Sequence, residues 1–189
     1  MDRLFILFGI AFLLSLIPLT FLGLRAYRRY RGKRVVVCPE TRAPVAVELD
    51  AARAAASDLL GDAKLRLQAC TRWPERQDCG QECLAQVEAS PDGCLVRTML
   101  AEWYRGQTCA LCGCDVSHIV WSEHKPALMS PGRQTLEWQD VPPEKLPEVF
   151  ATHYRICWDC HIAESFRALH PELVVDDPLH MAPRRSAAR

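Results

Sequence analysis

Net charge is the first thing this chain lacks: its 23 lysines and arginines are matched by 23 aspartates and glutamates. A nucleic-acid-binding domain ordinarily leaves a basic footprint, so the balance argues against DNA or RNA as a partner. A glycine-rich phosphate loop is missing too, as is a Gly-x-Ser-x-Gly nucleophile elbow, which removes the signatures of nucleotide binding and acyl transfer. There is no internal repeat. His118, His153, His170 and His180 are scattered, and no two of them stand at a metal-ligand spacing.

Cysteine, by contrast, is abundant, with ten in 189 residues. Such a count means a disulfide framework in an oxidising compartment or thiolate metal sites in a reducing one. The choice turns on the N-terminal segment. From Leu4 to Leu24 the chain is uncharged, with Ser15 and Thr20 its only polar side chains and Pro18 in its interior. About twenty residues at roughly 1.5 Å each cross a hydrocarbon core. No Ala-x-Ala cleavage site follows, so the expectation is an uncleaved transmembrane anchor over 1–24 that contacts the lipid bilayer through 4–24. Residues 25–34 then carry six positive charges. Under the positive-inside rule this flank stays cytoplasmic, giving a single-pass protein of the cell (inner) membrane whose C-terminal domain sits among reduced thiols.

The soluble part reads as α+β. Two short strands at 35–37 and 45–49 flank a turn-rich stretch and form a hairpin. Asp50 caps an alanine-rich helix over 51–69, and further helices are expected at about 80–89 and 94–105. Strand-like pieces follow at 118–121 and 135–138. A last helix carries Ile162, Phe166 and Leu169 at helical spacing and ends at Pro171. The expected organisation is a helical, cysteine-containing region over 35–107, a metal-stabilised region over 108–175, and a tail over 176–189 too poor in apolar residues to pack. Trp73, Trp103, Trp121, Trp138 and Trp158 read as core residues around the metals, since no basic residues alternate with them.

The specific signal is a pair of Cys-x-x-Cys motifs, Cys109/Cys112 followed by Gly113, and Cys157/Cys160. Four thiolates suit a tetrahedral Zn²⁺, the two-residue spacer turns both sulfurs toward one ion, and glycine permits the tight turn. The second pair opens the last helix, whose N-terminal dipole favours thiolate charge. Knuckle, strand segment and helix in that order resemble a treble-clef zinc finger over 109–170, and within that class the HNH nuclease module. The residues that carry the second likeness are Cys109 and Cys112, Glu123-His124-Lys125-Pro126, and Cys157 with Cys160-His161. That resemblance implies His124 as the general base of a metal-dependent nuclease, although Thr152-His153 stands where the family carries Asn. Cys157-Trp-Asp-Cys160-His161 also matches the attachment motif of haem c, which would make Cys157, Cys160 and His161 cofactor-binding. The layout as a whole resembles small membrane-anchored cysteine-rich proteins of bacteria.

A second zinc site is expected from Cys38, Cys70, Cys79 and Cys83, with Cys94 as a substitute ligand or a buried thiol. An iron–sulfur cluster would use the same thiolates, but their spacing matches neither ferredoxin run, and buried cysteines without metal are the remaining alternative. Cys114 reads as a spare thiol. The functional expectation is a zinc-binding module, non-enzymatic and acting through a protein partner, with the nuclease and the haem protein as alternatives.

Overall fold

The computed structural model describes residues 2–61, 63–76 and 78–174, apart from the side chains of 2–13, Ser15 and Leu19. The expected tail over 176–189 lies outside the described residues. The chain divides into two units, Met1–Val96 and Arg97–Arg189.

In the first unit, helix α1 (Asp2–Tyr30) leads into a three-stranded antiparallel sheet of β1 (Lys33–Val37), β2 (Pro44–Leu49) and β3 (Leu67–Cys70), in that spatial order. The expected hairpin is present, with Val35 opposite Ala46 and Val37 opposite Pro44. Asp50 caps α2 (Ala51–Asp58) as expected, its carboxylate accepting from the Arg53 N–H at 2.9 Å. The helix is much shorter than 51–69. Gly61 takes a φ of +94°, a left-handed conformation in which glycine is at home and a helix ends. The chain then turns back, and Leu67 pairs with Leu49 and Cys70 with Val47, so what reads locally as helix becomes the third strand. Helix α3 (Leu84–Ala89) also starts later than expected, because Gln81 adopts a φ of +56°. Val36, Val47, Leu49, Ala54, Leu67 and Val87 form the core of this unit.

Among the described residues no helix is long and apolar enough to cross a membrane. This overturns the expected transmembrane anchor, and with it the single-pass layout, the inner-membrane location and the orientation drawn from the flank. The bilayer contact is left without its premise. α1 runs on past the apolar stretch through Arg25, Arg28 and Arg29, and its C-terminal turns serve the domain: Ala26 and Tyr30 are buried, and the helix lies against α2. The basic stretch is likewise not a uniformly solvated flank. Arg34 is fully buried, and its guanidinium donates to the carbonyls of Arg29 and Tyr30 at 2.7 Å each and of Gly32 at 3.1 Å. The Arg29 and Tyr30 carbonyls belong to the end of α1, where acceptors lack helical partners and the dipole is negative. This local compensation is what makes a buried cation tolerable.

Helix α4 (Val96–Tyr104), shorter than the helix expected over 94–105, carries the chain from Arg97 into the second unit. That unit continues with β4 (Ala127–Met129), β5 (Thr135–Leu136), α5 (Leu146–Thr152), β6 (Tyr154–Ile156) and α6 (Trp158–Leu169). β4 is central, antiparallel to both β5 and β6, and α6 packs on it. No strand forms over 118–121, and the piece expected over 135–138 splits into β5 and a 3₁₀ turn at Trp138–Asp140. Tyr104, Cys109, Val116, Ala127, Met129 and Ile156 are buried together, with Trp103, Trp138, Cys157 and Cys160 packed against them. Each aromatic polar group is satisfied: Tyr104 donates to Ala127 O at 2.7 Å, Trp138 to Pro126 O at 3.0 Å and Trp103 to Phe150 O at 3.2 Å.

Candidate metal centre

The backbone around the first Cys-x-x-Cys pair is a tight hairpin. Thr108 bridges to Asp115, the Cys109 N–H donates to Cys114 O at 2.8 Å, and the Gly113 N–H donates back to Cys109 O at 2.9 Å. Gly113 sits at φ +75°, the tight-turn conformation expected of it. The Ala110 N–H donates to Arg155 O at 2.8 Å, which fastens this knuckle to β6 just ahead of the second pair. Cys157 then caps α6, its sulfur accepting from the Cys160 N–H at 3.4 Å, while its own N–H donates to the Cys109 sulfur at 3.2 Å.

The result is a cluster. The sulfurs of Cys109, Cys112, Cys114 and Cys157 all lie within 4.8 Å of one another, and those of Cys112 and Cys157 are 3.6 Å apart. Four sulfurs held tetrahedrally at about 2.3 Å from one ion are separated by about 3.8 Å, so this group can hold a metal ion. Of the expected ligands Cys109, Cys112, Cys157 and Cys160, the first three lie in this group. Cys114, expected to be a spare thiol, stands in the closest group, while Cys160 is packed in the same core one helical turn behind Cys157. Cys114 is carried there by the hairpin, whose backbone pairing folds it back over Cys109; the signal in the sequence is the Gly113 turn itself. All ten cysteines are unbridged.

The crowding shows in the thiols' acidity. Burial raises Cys157, and burial together with neighbouring thiols raises Cys114 and Cys160. At Cys112 burial is outweighed by hydrogen bonds from Cys114, Cys109 and Cys157, which bring it down to about 7. The thiols thus hold protons jointly, and a cation that binds them releases protons.

The other singled-out residues lie elsewhere. His124 stacks on Trp158, with ring centroids 4.7 Å apart and planes 4° from parallel, at a shallow cavity that Glu123 and Glu137 also line. His161 is buried, its Nε2 3.6 Å from the Glu137 carboxylate and its Nδ1 without a partner. Cys38, Cys70, Cys79 and Cys83 all line one cavity of about 280 Å³ in the first unit. Cys94 stands apart from it, its thiol directed at Gln86 O at 3.7 Å.

Comparison with protein-family models, with curated proteins and with solved structures finds no match for this chain.

Proposed function

We propose that residues 97–174 form a zinc-binding module that is non-enzymatic and acts by presenting a metal-stabilised surface to a protein partner. The observation that carries the reading is the convergence of the Cys109, Cys112, Cys114 and Cys157 sulfurs within 4.8 Å. An all-thiolate, closed donor set is the chemistry of structural zinc, whereas a catalytic zinc keeps a position open for water. On this reading the knuckle, the strands and the ligand-bearing helix together form a treble-clef-like unit. Turning the Cys157 sulfur toward Cys112 favours a shared metal over haem attachment, which needs that sulfur for a vinyl group. Support for a protein partner comes from α6, which leaves Ile162, Phe166 and Leu169 about half or more exposed on a surface that polar residues would otherwise cover.

Metal analysis of the full chain, purified under reducing conditions, tests the reading. Zinc bound at this cluster, with Co²⁺ substitution giving thiolate charge-transfer bands that Cys112→Ser/Cys157→Ser loses, is the expected result. A covalent haem spectrum, or a folded chain whose cluster takes up neither metal, overturns it.

A further inference from the structure

The first unit contains five thiols that the proposed zinc module does not use, and four of them line one cavity. We infer that Cys38, Cys70, Cys79 and Cys83 form a second, separate site for a divalent thiophilic cation of zinc's class.

Topology brings them together. β1 and β3 both pair antiparallel with β2 and therefore run in the same direction. Cys38, just after β1, and Cys70, the last residue of β3, consequently leave the sheet at the same end. Cys38 is held there by a turn in which its N–H donates to Ala43 O at 2.9 Å and its carbonyl accepts from the Arg42 N–H at 2.8 Å. The segment bearing the other two cysteines is tied to the sheet by two glutamines, Gln86 at the end of β1 next to Cys38 and Gln81 at the start of β3. Gln81 accepts from the Leu67 N–H at 2.9 Å, and Gln86 both accepts from the Val37 N–H at 2.9 Å and donates to Val37 O at 2.6 Å. Cys79 and Cys83 flank Gln81 and are thereby set over the cavity that all four thiols line.

The wall of that cavity is suited to thiolate charge. Four thiolates around a divalent ion leave two negative charges, and the guanidinium of Arg72 lies 3.3 Å from the Cys38 sulfur while pairing with Glu40 at 2.6 Å. Trp73 also lines the cavity, and its indole N–H is buried with no hydrogen-bond partner. An orphaned buried donor is costly, and a thiolate sulfur is an acceptor it lacks. Packing alone accounts poorly for the arrangement, because only Cys83 of the four is buried. These four sulfurs are not gathered as closely as those of Cys109, Cys112, Cys114 and Cys157, so binding draws them together. Cys79 and Gly80 lie on irregular backbone between β3 and α3, free of ladder hydrogen bonds that would resist such closure.

The test uses the full chain, reduced, stripped with chelator and titrated with Zn²⁺, with iodoacetamide labelling read at each cysteine by mass spectrometry. Two equivalents bind, and labelling at Cys38, Cys70, Cys79 and Cys83 falls together by roughly tenfold as metal ligation removes free thiolate, while Cys94 is unchanged. Cys112→Ser/Cys157→Ser keeps one equivalent and the protection of these four. Cys70→Ser/Cys83→Ser loses one equivalent and keeps the protection of Cys109 and Cys112. The inference is overturned if Zn²⁺ leaves labelling of the four thiols unchanged in the wild-type chain, a readout that needs no variant to fold. Disulfide-linked pairs among them, or iron with sulfide at the site, overturn it equally. Protection here without zinc at the Cys109 cluster would remove the proposed function and leave this site standing.

Discussion

The backbone N–H of Cys157 donates to the sulfur of Cys109 at 3.2 Å, so the residue that opens α6 is bonded to the thiol that opens the knuckle. The bond joins two distant segments independently of any ion. It also brings a backbone N–H, as well as the end of a helix dipole, to sulfurs that bind as thiolates. Structural zinc in small finger peptides contributes an apparent 10–16 kcal/mol at neutral pH, comparable to the whole margin of a domain's stability, about 5–15 kcal/mol. Cys109→Ser should therefore both abolish zinc at this cluster and unfold the second unit. Zinc analysis with near-ultraviolet circular dichroism checks this, since Trp103 and Trp138 report on the packing around Tyr104; a native spectrum in the zinc-free variant would refute it.

Four sulfurs form the close group, and a fifth thiol, Cys160, is packed beside it. Cys114 lies in the closest group and Cys160 one turn behind Cys157, so either completes the tetrahedron with Cys109, Cys112 and Cys157. Cys114→Ser and Cys160→Ser should each retain about one equivalent of zinc, with weakened affinity, while the double variant loses it. Competition with a chromophoric chelator measures all three. Zinc retained by the double variant sinks the idea, and complete loss in one single variant assigns that residue alone as fourth ligand.

Arg34 holds the last two carbonyls of α1 and that of Gly32 just beyond it. Arg34→Met keeps much of the apolar stem but strands those acceptors, of which only the bond to Tyr30 O is fully buried; at about 1–3 kcal/mol for a buried unsatisfied acceptor and less for the two part-buried ones, the first unit should lose roughly 2–4 kcal/mol. Arg34→Lys should recover less than half, because an ammonium is a point donor without the guanidinium fork. Urea denaturation checks both, and a lysine variant as stable as wild type would show that charge rather than geometry matters.

At Gly113 the space beyond Cα is open, yet φ is +75°. Gly113→Ala should cost about 1 kcal/mol through backbone strain alone, and Gly113→Asn less, since asparagine tolerates the left-handed region. Equal thermal stability of the two variants would remove the left-handed turn as the cause.

Burial pushes the Tyr104 phenol far above its ordinary value. In the unfolded chain it ionises near about 10. Above that pH the unfolded state has released a proton that the folded state still holds, so the stability of the second unit declines as pH rises from about 10. Below it Tyr104 contributes no pH dependence. Tyr104→Phe should flatten the alkaline decline, as measured by denaturation between about pH 8 and 11; an unchanged slope would place the effect elsewhere.

Short-range features of the fold are legible in the amino-acid sequence. Alternating valines specify the 35–49 hairpin, the Asp50 carboxylate specifies where α2 starts, and the Cys-x-x-Cys-Gly run specifies a knuckle, because each depends on neighbours within a few positions. The alanine-rich 51–69 stretch misleads for the complementary reason. Its helix propensity is real, but the left-handed Gly61 turn and the pairing of Leu67 and Cys70 with β2 are worth more than continued helix.

The amino-acid sequence by itself determined the two Cys-x-x-Cys pairs, their placement at a turn and at a helix start, and hence a thiolate chemistry. The tertiary structure alone decided which sulfurs meet. Cys114 enters the cluster because a hairpin folds it back over Cys109, and Cys38 shares one cavity with Cys70 because β1 and β3 end on the same side of β2. It decided as well that Arg34 is an internal cap rather than a solvated flank and that α1 ends inside a packed unit. Each depends on a partner far away in the chain, and sequence spacing carries no information about which distant segments share a surface.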